Sequence, residues 1–135
     1  MRDKAVLDTG VIVALYFEED ASERAELAAR EYNPITLDLA VAEVGNAAWK
    51  RAVFFKEGKD ATWLSLSKCL EFIKSCTLII SSDLAWQAYE IGLENGTTFY
   101  DSLFLAAAER ERVPLLTLDK KMYEKVKAKM DVRLL

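Results

Sequence analysis

Four carboxylates stand out, two among apolar neighbours and two at the ends of apolar runs that read as strands. Asp8 is the single charge in "VLDTGVIVALYF", and Asp101 is the single charge in "FYDSLFLAAA". Glu43 shares the apolar stretch "LAVAEVGNAAW" with one other polar residue, Asn46, and Asp119 closes "LLTLD". A buried carboxylate is costly unless paired. Four gathered in one place repel each other and persist only with a compensating cation or bound protons. A donor set of oxygen alone selects hard ions, Mg²⁺ or Mn²⁺. Such an ion at an open cleft activates water and stabilises a phosphoryl transition state, so phosphodiester hydrolysis is the expected chemistry. The chain has no histidine, which removes Ser-His-Asp and Cys-His catalysis and histidine-assisted attack by a ribose hydroxyl.

Each acid also has a plain structural role open to it. Asp119 could cap the helix that follows it. Asp101 could complement a helix dipole, and Asp8 could turn the chain at a strand end. Glu43 could pair with Lys50, since Asn46 and Lys50 continue its helix face as a polar stripe. All four roles would have to hold at once. The triplet Asp8-Thr9-Gly10 raises a different reading, an aspartic-protease half-site completed by a second copy. That fold is all-β and rich in glycine turns, whereas this chain has five glycines and a strongly helical pattern.

The elements that must position these acids follow from periodicity and punctuation. Residues 4–8, 34–38, 76–81 and 113–119 read as short strands, with 131–135 as an edge strand. Helices are expected from Thr9, over 20–33 with Asp20 as cap and Asn33-Pro34 as stop, and over 39–55. Another follows over 61–75, capped by Asp60, with Trp63, Leu66, Leu70 and Ile73 as its buried stripe. Three more are expected over 83–94, 99–112 and 120–130, the first closed by Asn95-Gly96. Strands alternating with helices predict a three-layer α/β/α sandwich on a mostly parallel sheet of four to five strands. In such a sheet ligands bind beyond the carboxyl ends of the strands, the edge where Asp8 and Asp119 should both project.

Length and composition fit this picture. A chain of 135 residues, 52% hydrophobic and 30% charged, reads as one domain spanning 1–135. No run approaches the ~20 apolar residues that span a bilayer, and the N-terminal stretch lacks a signal-peptide core. A cytoplasmic protein without membrane contact is expected. Cys69 and Cys76 read as small buried apolar residues. Net charge is −4, unusual for a nucleic-acid binder, but setting the four acids aside leaves the two signs equal. Lys50, Arg51, Lys56, Lys59, Lys120 and Lys121 are then the candidate phosphate contacts.

The four segments "VLDTGVIVAL", "LAVAEVGNAAW", "FYDSLFLAAAE" and "LLTLD" together resemble the acidic motifs of PIN domains, specifically those of VapC-type toxins, in order and over nearly the whole chain. The resemblance implies an Mg²⁺- or Mn²⁺-dependent endoribonuclease acting on RNA, a homodimer, and a small antitoxin partner. It implies that Asp8, Glu43, Asp101 and Asp119 are catalytic and metal-holding, with Thr9, Asn46 and Thr117 in support. Gly10 departs from the family's frequent Ser or Asn, and Lys120-Lys121 replace an acid that sometimes assists a second ion. A PIN fold kept for protein binding, and an RNA-processing nuclease without an antitoxin, are the alternatives. An antitoxin is expected to dock near the first two helices, where "VIVALYF" is strongly apolar.

Overall fold

The computed structural model describes residues 2–135. The chain runs β1 (Asp3–Leu7), α1 (Thr9–Tyr16), α2 (Ser22–Glu31), β2 (Tyr32–Leu37), α3 (Leu39–Val53) and α4 (Lys59–Ser75). It continues through β3 (Thr77–Ile79), a 3₁₀ turn (Ser81–Leu84), α5 (Ala85–Asn95), α6 (Phe99–Glu111), β4 (Leu115–Thr117), α7 (Lys120–Val126) and β5 (Val132–Leu134). The five strands form one sheet in the order β3-β2-β1-β4-β5, and every neighbouring pair is parallel.

Successive residues on a strand face opposite sides of a sheet, and the core divides accordingly. Ala5, Leu7 and Leu116 pack with Val11, Ile12, Ala25, Val44, Cys69 and Ile73, from α1 to α4. Val6, Ile35, Leu37 and Leu115 pack with Leu84, Ile91, Leu105, Met122 and Val126, from the opposite layer. Helices thus cover both faces, and the buried strands read as unbroken apolar runs because neither face meets water. Helix α6 is buried from Ser102 to Ala108. Its alanines 106–108 let the backbone lie close on the sheet.

Several local expectations are corrected. Helix α2 starts at Ser22, whose hydroxyl accepts from the Glu19 amide at 3.0 Å, so Asp20 is not its cap. It ends at Glu31, and Asn33 and Pro34 belong to β2. Pro34 is tolerated because β3 pairs only from Ile35 onward, leaving that side of the strand free. Gly58, not Asp60, precedes α4. The buried face of α4 carries Thr62, Cys69 and Ile73, while Trp63 is 66% exposed. Strands β3 and β4 are three residues each, shorter than expected, and α7 stops at Val126. Both cysteines are free and buried, and burial pushes their thiols up to about 11 and about 12.

Gly96 closes α5 with φ 69°, as Asn95-Gly96 predicts. Gly92, one turn earlier, is required by packing. A Cβ there would lie 3.0 Å from the Thr97 carbonyl oxygen and 3.2 Å from Ser102 Oγ. Alanine normally stabilises a helix interior relative to glycine, but here the crowding reverses the sign. Gly92→Ala is expected to lower stability by about 1 kcal/mol or more, read as a lower urea midpoint at unchanged m-value. A raised midpoint would show that the loop before α6 yields freely.

Candidate active site

Strand order places β1 beside β4, with β2 and β3 on one side and β5 on the other. Chain direction across the sheet reverses at this pair, and α/β folds place ligand sites at such a point. Asp8 follows β1 directly, and Asp119 lies two residues beyond the end of β4. Both are N-caps. Asp8 Oδ1 accepts from the Val11 amide at 3.2 Å, and Asp119 Oδ1 accepts from the Met122 amide at 3.0 Å. The structural roles open to these two acids are therefore filled, and each still leaves one carboxylate oxygen beyond its cap.

The remaining oxygen of Asp8 accepts a 2.5 Å hydrogen bond from Thr117 Oγ1, the last residue of β4. Thr117 Oγ1 in turn accepts from the Asp119 amide at 3.0 Å. One buried hydroxyl so ties the two strand ends together. Asp101 enters from the first turn of α6, whose cap Thr98 accepts from the Asp101 amide at 3.0 Å. Glu43 comes from the middle of α3 on the opposite layer. Thr9 Oγ1 donates to its carboxylate at 2.6 Å, where sequence reasoning had offered Lys50 as the structural partner.

The electrostatics are those of an under-compensated acid cluster. Burial pushes the half-buried Asp8 carboxyl up to about 7. Its hydrogen bonds from Thr117 and Val11 oppose the shift, and the charges of Asp101 and Asp119 add to it. Burial also raises Asp101, with Asp119 adding repulsion and Thr98 and Lys125 partly offsetting it. Glu43 is raised by burial, against the Thr9 hydrogen bond and with a contribution from Asp101. Asp8 thus feels the charges of Asp101 and Asp119, Asp101 that of Asp119, and Glu43 that of Asp101 alone. As placed, however, no three acidic side chains among the described residues converge tightly enough to enclose one ion.

A third strand-end acid shows the contrast. Asp38 follows β2, and its carboxylate is taken up by the amides of Leu39 and Ser81 at 3.0 and 2.9 Å and by the Ser81 hydroxyl at 3.2 Å. It is a junction between α3 and the turn after β3, not a member of the cluster.

Beside the acids runs an open groove of about 660 Å³, lined by Thr9, Gly10, Val13, Leu39, Glu43, Asn46, Lys50, Tyr100 and Leu118, among others. Asn46 is exposed there, and among the described residues its side chain makes no hydrogen bond to the acids. Arg51 is withdrawn from the candidate phosphate contacts. It pairs with Glu19 at 2.7 Å, reaches Glu57 at 3.5 Å and lies 5.0 Å over the Phe17 ring. Sequence reasoning passed over Tyr100, which precedes Asp101 and is 60% exposed. An aromatic in the first turn of an otherwise buried helix was the available signal.

A family model for the PIN domain matches residues 5–128. The chain belongs to the PIN-domain family. Ribonuclease VapC3 of Pyrobaculum aerophilum is similar to this PIN-domain chain at 36% identity, over 93% of the chain and 96% of the relative. Exonuclease VapC9 of the same organism is 30% identical over 73% of this chain and 71% of its own length. A toxin-antitoxin complex from Klebsiella pneumoniae contains a chain with TM-score 0.72 and 17% identity, covering 96% of each chain, a likeness that concerns the fold.

The site expected for an antitoxin is corrected by the packing. Val11, Ile12, Val13, Ala14 and Phe17 are core, and Leu15 and Tyr16 pack partly buried against it. The exposed apolar side chains lie elsewhere, among them Trp49, Val53, Phe54, Phe55, Trp63 and Leu64 around the α3–α4 hairpin. Among the described residues no helix is long and apolar enough to cross a membrane.

Proposed function

We propose that this chain is a divalent-metal-dependent ribonuclease, the toxin of a toxin–antitoxin pair. Asp8, Glu43, Asp101 and Asp119 hold Mg²⁺ or Mn²⁺ in this reading. The observation that carries it is the Thr117 hydroxyl, which donates to Asp8 and accepts from the Asp119 amide and so gathers two strand-end acids at one sheet edge, where Asp101 adds its charge. The donor set is all carboxylate oxygen, which suits a hard ion. The repulsion that Asp101 and Asp119 exert on Asp8 is what a bound cation would relieve.

When bound, the ion supplies an activated water and a counter-charge for the transition state. The chain's own residues do the rest. Thr117 and the Val11 amide fix the Asp8 carboxylate, and Thr9 fixes Glu43. Thr98 seats the first turn of α6 and so aims Asp101. The open groove leaves one side free for a strand of RNA.

With water as nucleophile, products carry 5′-phosphate and 3′-hydroxyl ends. EDTA is expected to abolish cleavage, and Mg²⁺ or Mn²⁺ to restore it. Robust cleavage in EDTA, or 2′,3′-cyclic phosphate ends, would sink the mechanism. A circular RNA substrate separates internal cutting, the mode we propose, from the end-directed action that the name of VapC9 describes.

The antitoxin is a small protein that covers the α3–α4 hairpin, and the chain acts as a homodimer in the cytoplasm. Co-expression with an adjacent short reading frame should relieve growth arrest. Sedimentation should give twice the chain mass. If expression is harmless and no neighbouring product co-purifies while the enzyme still cuts RNA, the toxin reading falls and an RNA-processing nuclease stands.

A further inference from the structure

The groove beside the acids has the chemistry of a nucleobase subsite. Its walls are apolar over Val13, Leu39, Ala42, Ala47 and Leu118, and its size lies in the usual range for small-ligand sites. One wall carries the exposed ring of Tyr100, bonded in sequence to Asp101. The other carries Asn46 and, one turn further along α3, Lys50.

The charges on the lining sort themselves. Glu43 is held by Thr9, and Glu19 is paired with Arg51. Among the described residues Lys50 forms no ion pair, so it is left as the groove's cation without a partner. Asn46 likewise presents an amide with both donor and acceptor and no partner of its own. An aromatic ring, a free amide and a free ammonium in an apolar slot beside a cleavage centre match one ligand class. It is an unpaired base with its flanking phosphate.

We propose that this groove binds the nucleotide adjoining the scissile phosphate. The Tyr100 ring stacks on the base, Asn46 hydrogen-bonds its edge and sets base preference, and Lys50 contacts the neighbouring phosphate. Stacking on an aromatic face is sequence-tolerant, while an amide can read a base edge. The inference rests on the ribonuclease reading and adds to it the three residues that seat and select the base beside the cut.

Binding can be measured apart from cleavage. Fluorescence anisotropy with a labelled, mixed-sequence unpaired RNA octamer in EDTA reads the groove without the ion. Tyr100→Ala is expected to weaken binding about tenfold, within the range for loss of one stacked base, and Tyr100→Phe to bind like the unaltered chain. Lys50→Gln should reduce the dependence of log K on log salt by about one unit, and Lys68→Gln, on the exposed side of α4, should not.

Cleavage supplies the second readout. Tyr100→Ala should raise KM about tenfold with kcat within about threefold. Asn46→Ala should flatten the base preference at one position beside the cut, read by sequencing products of a random RNA pool. Unchanged binding in Tyr100→Ala overturns the proposal. So does a cut-site profile in Asn46→Ala identical to that of the unaltered chain, or a loss confined to kcat. If the unaltered chain binds the octamer in a Tyr100-dependent way yet cuts no RNA with Mn²⁺, the ribonuclease reading fails and the base subsite survives.

Discussion

Asp8→Asn is expected to lower RNA cleavage by about three orders of magnitude or more, and the protein should still fold. In the proposed reading the substitution removes one of four metal ligands, which costs several kcal/mol of transition-state stabilisation, and each ~1.4 kcal/mol is tenfold in rate. The fold should survive because asparagine keeps the side-chain size and an oxygen for the Val11 amide, and asparagine caps helices as well as aspartate does. The Thr117 hydroxyl, which donates to Asp8 in the native chain, can turn to accept from the new amide. Removing one of the mutually repelling charges should leave metal-free melting unchanged or slightly raised. Melting curves with and without Mg²⁺, alongside single-turnover cleavage, check both halves. If Asp8→Asn unfolds the chain, Asp8 is a structural cap and the site assignment fails.

The second large effect is on stability against pH. A carboxyl raised from 3.8 to about 7 in the folded state holds a proton that the unfolded chain releases. Its stabilising contribution is complete below about pH 4 and is lost as pH rises through about 7. Three pH units set a ceiling of about 4 kcal/mol, and the solvent that reaches the half-buried carboxyl reduces it. Metal-free protein should therefore melt on the order of 5–10 °C lower at pH 8 than at pH 5. Asp8→Asn should flatten that slope. Mg²⁺ should raise melting at pH 8, where the carboxylate is ionised, and do little at pH 5. A flat profile in the native chain would mean that Asp8 is already compensated by something other than a proton or a metal.

Much of this was legible in the residues. Alternating apolar runs and helical stripes gave the parallel sheet and its two covering layers, because burial on both faces leaves strands with no polar side. Glu43 and Asp101 stand out as charges in apolar stretches, and Asp8 and Asp119 as acids at the ends of strands that share one sheet edge. What could not be read was which neighbour each polar group would choose. Asp20 and Asp60 are good caps by type, but Ala21 and Gly58 hold those positions, and neither offers a side-chain cap. Pro34 looked like a stop and is a strand residue, a distinction that depends on where β3 starts to pair. "VIVALYF" was too apolar for a short surface segment, and it proved to be interior. Trp63 was placed inside by spacing and lies outside, because the buried stripe of α4 is turned toward Thr62 and Cys69. Arg51 looked free in sequence, but its partner Glu19 lies 32 residues away.

The acids reach the site from both sides of the sheet. Glu43 belongs to the layer of α1 to α4, while Asp101 and Asp119 lead into helices of the layer opposite. Because the two layers have separate cores, side chains of one can drift without repacking the other. Most of the groove lies on the first layer, and two of the three acids around Asp8 lie on the second. If the groove reads a base through Asn46 and Lys50 as proposed, recognition on α3 can change while Asp101 and Asp119 keep their places. A chimaera carrying α3 and α4 of one relative on the sheet and remaining helices of another is the form in which that independence would show.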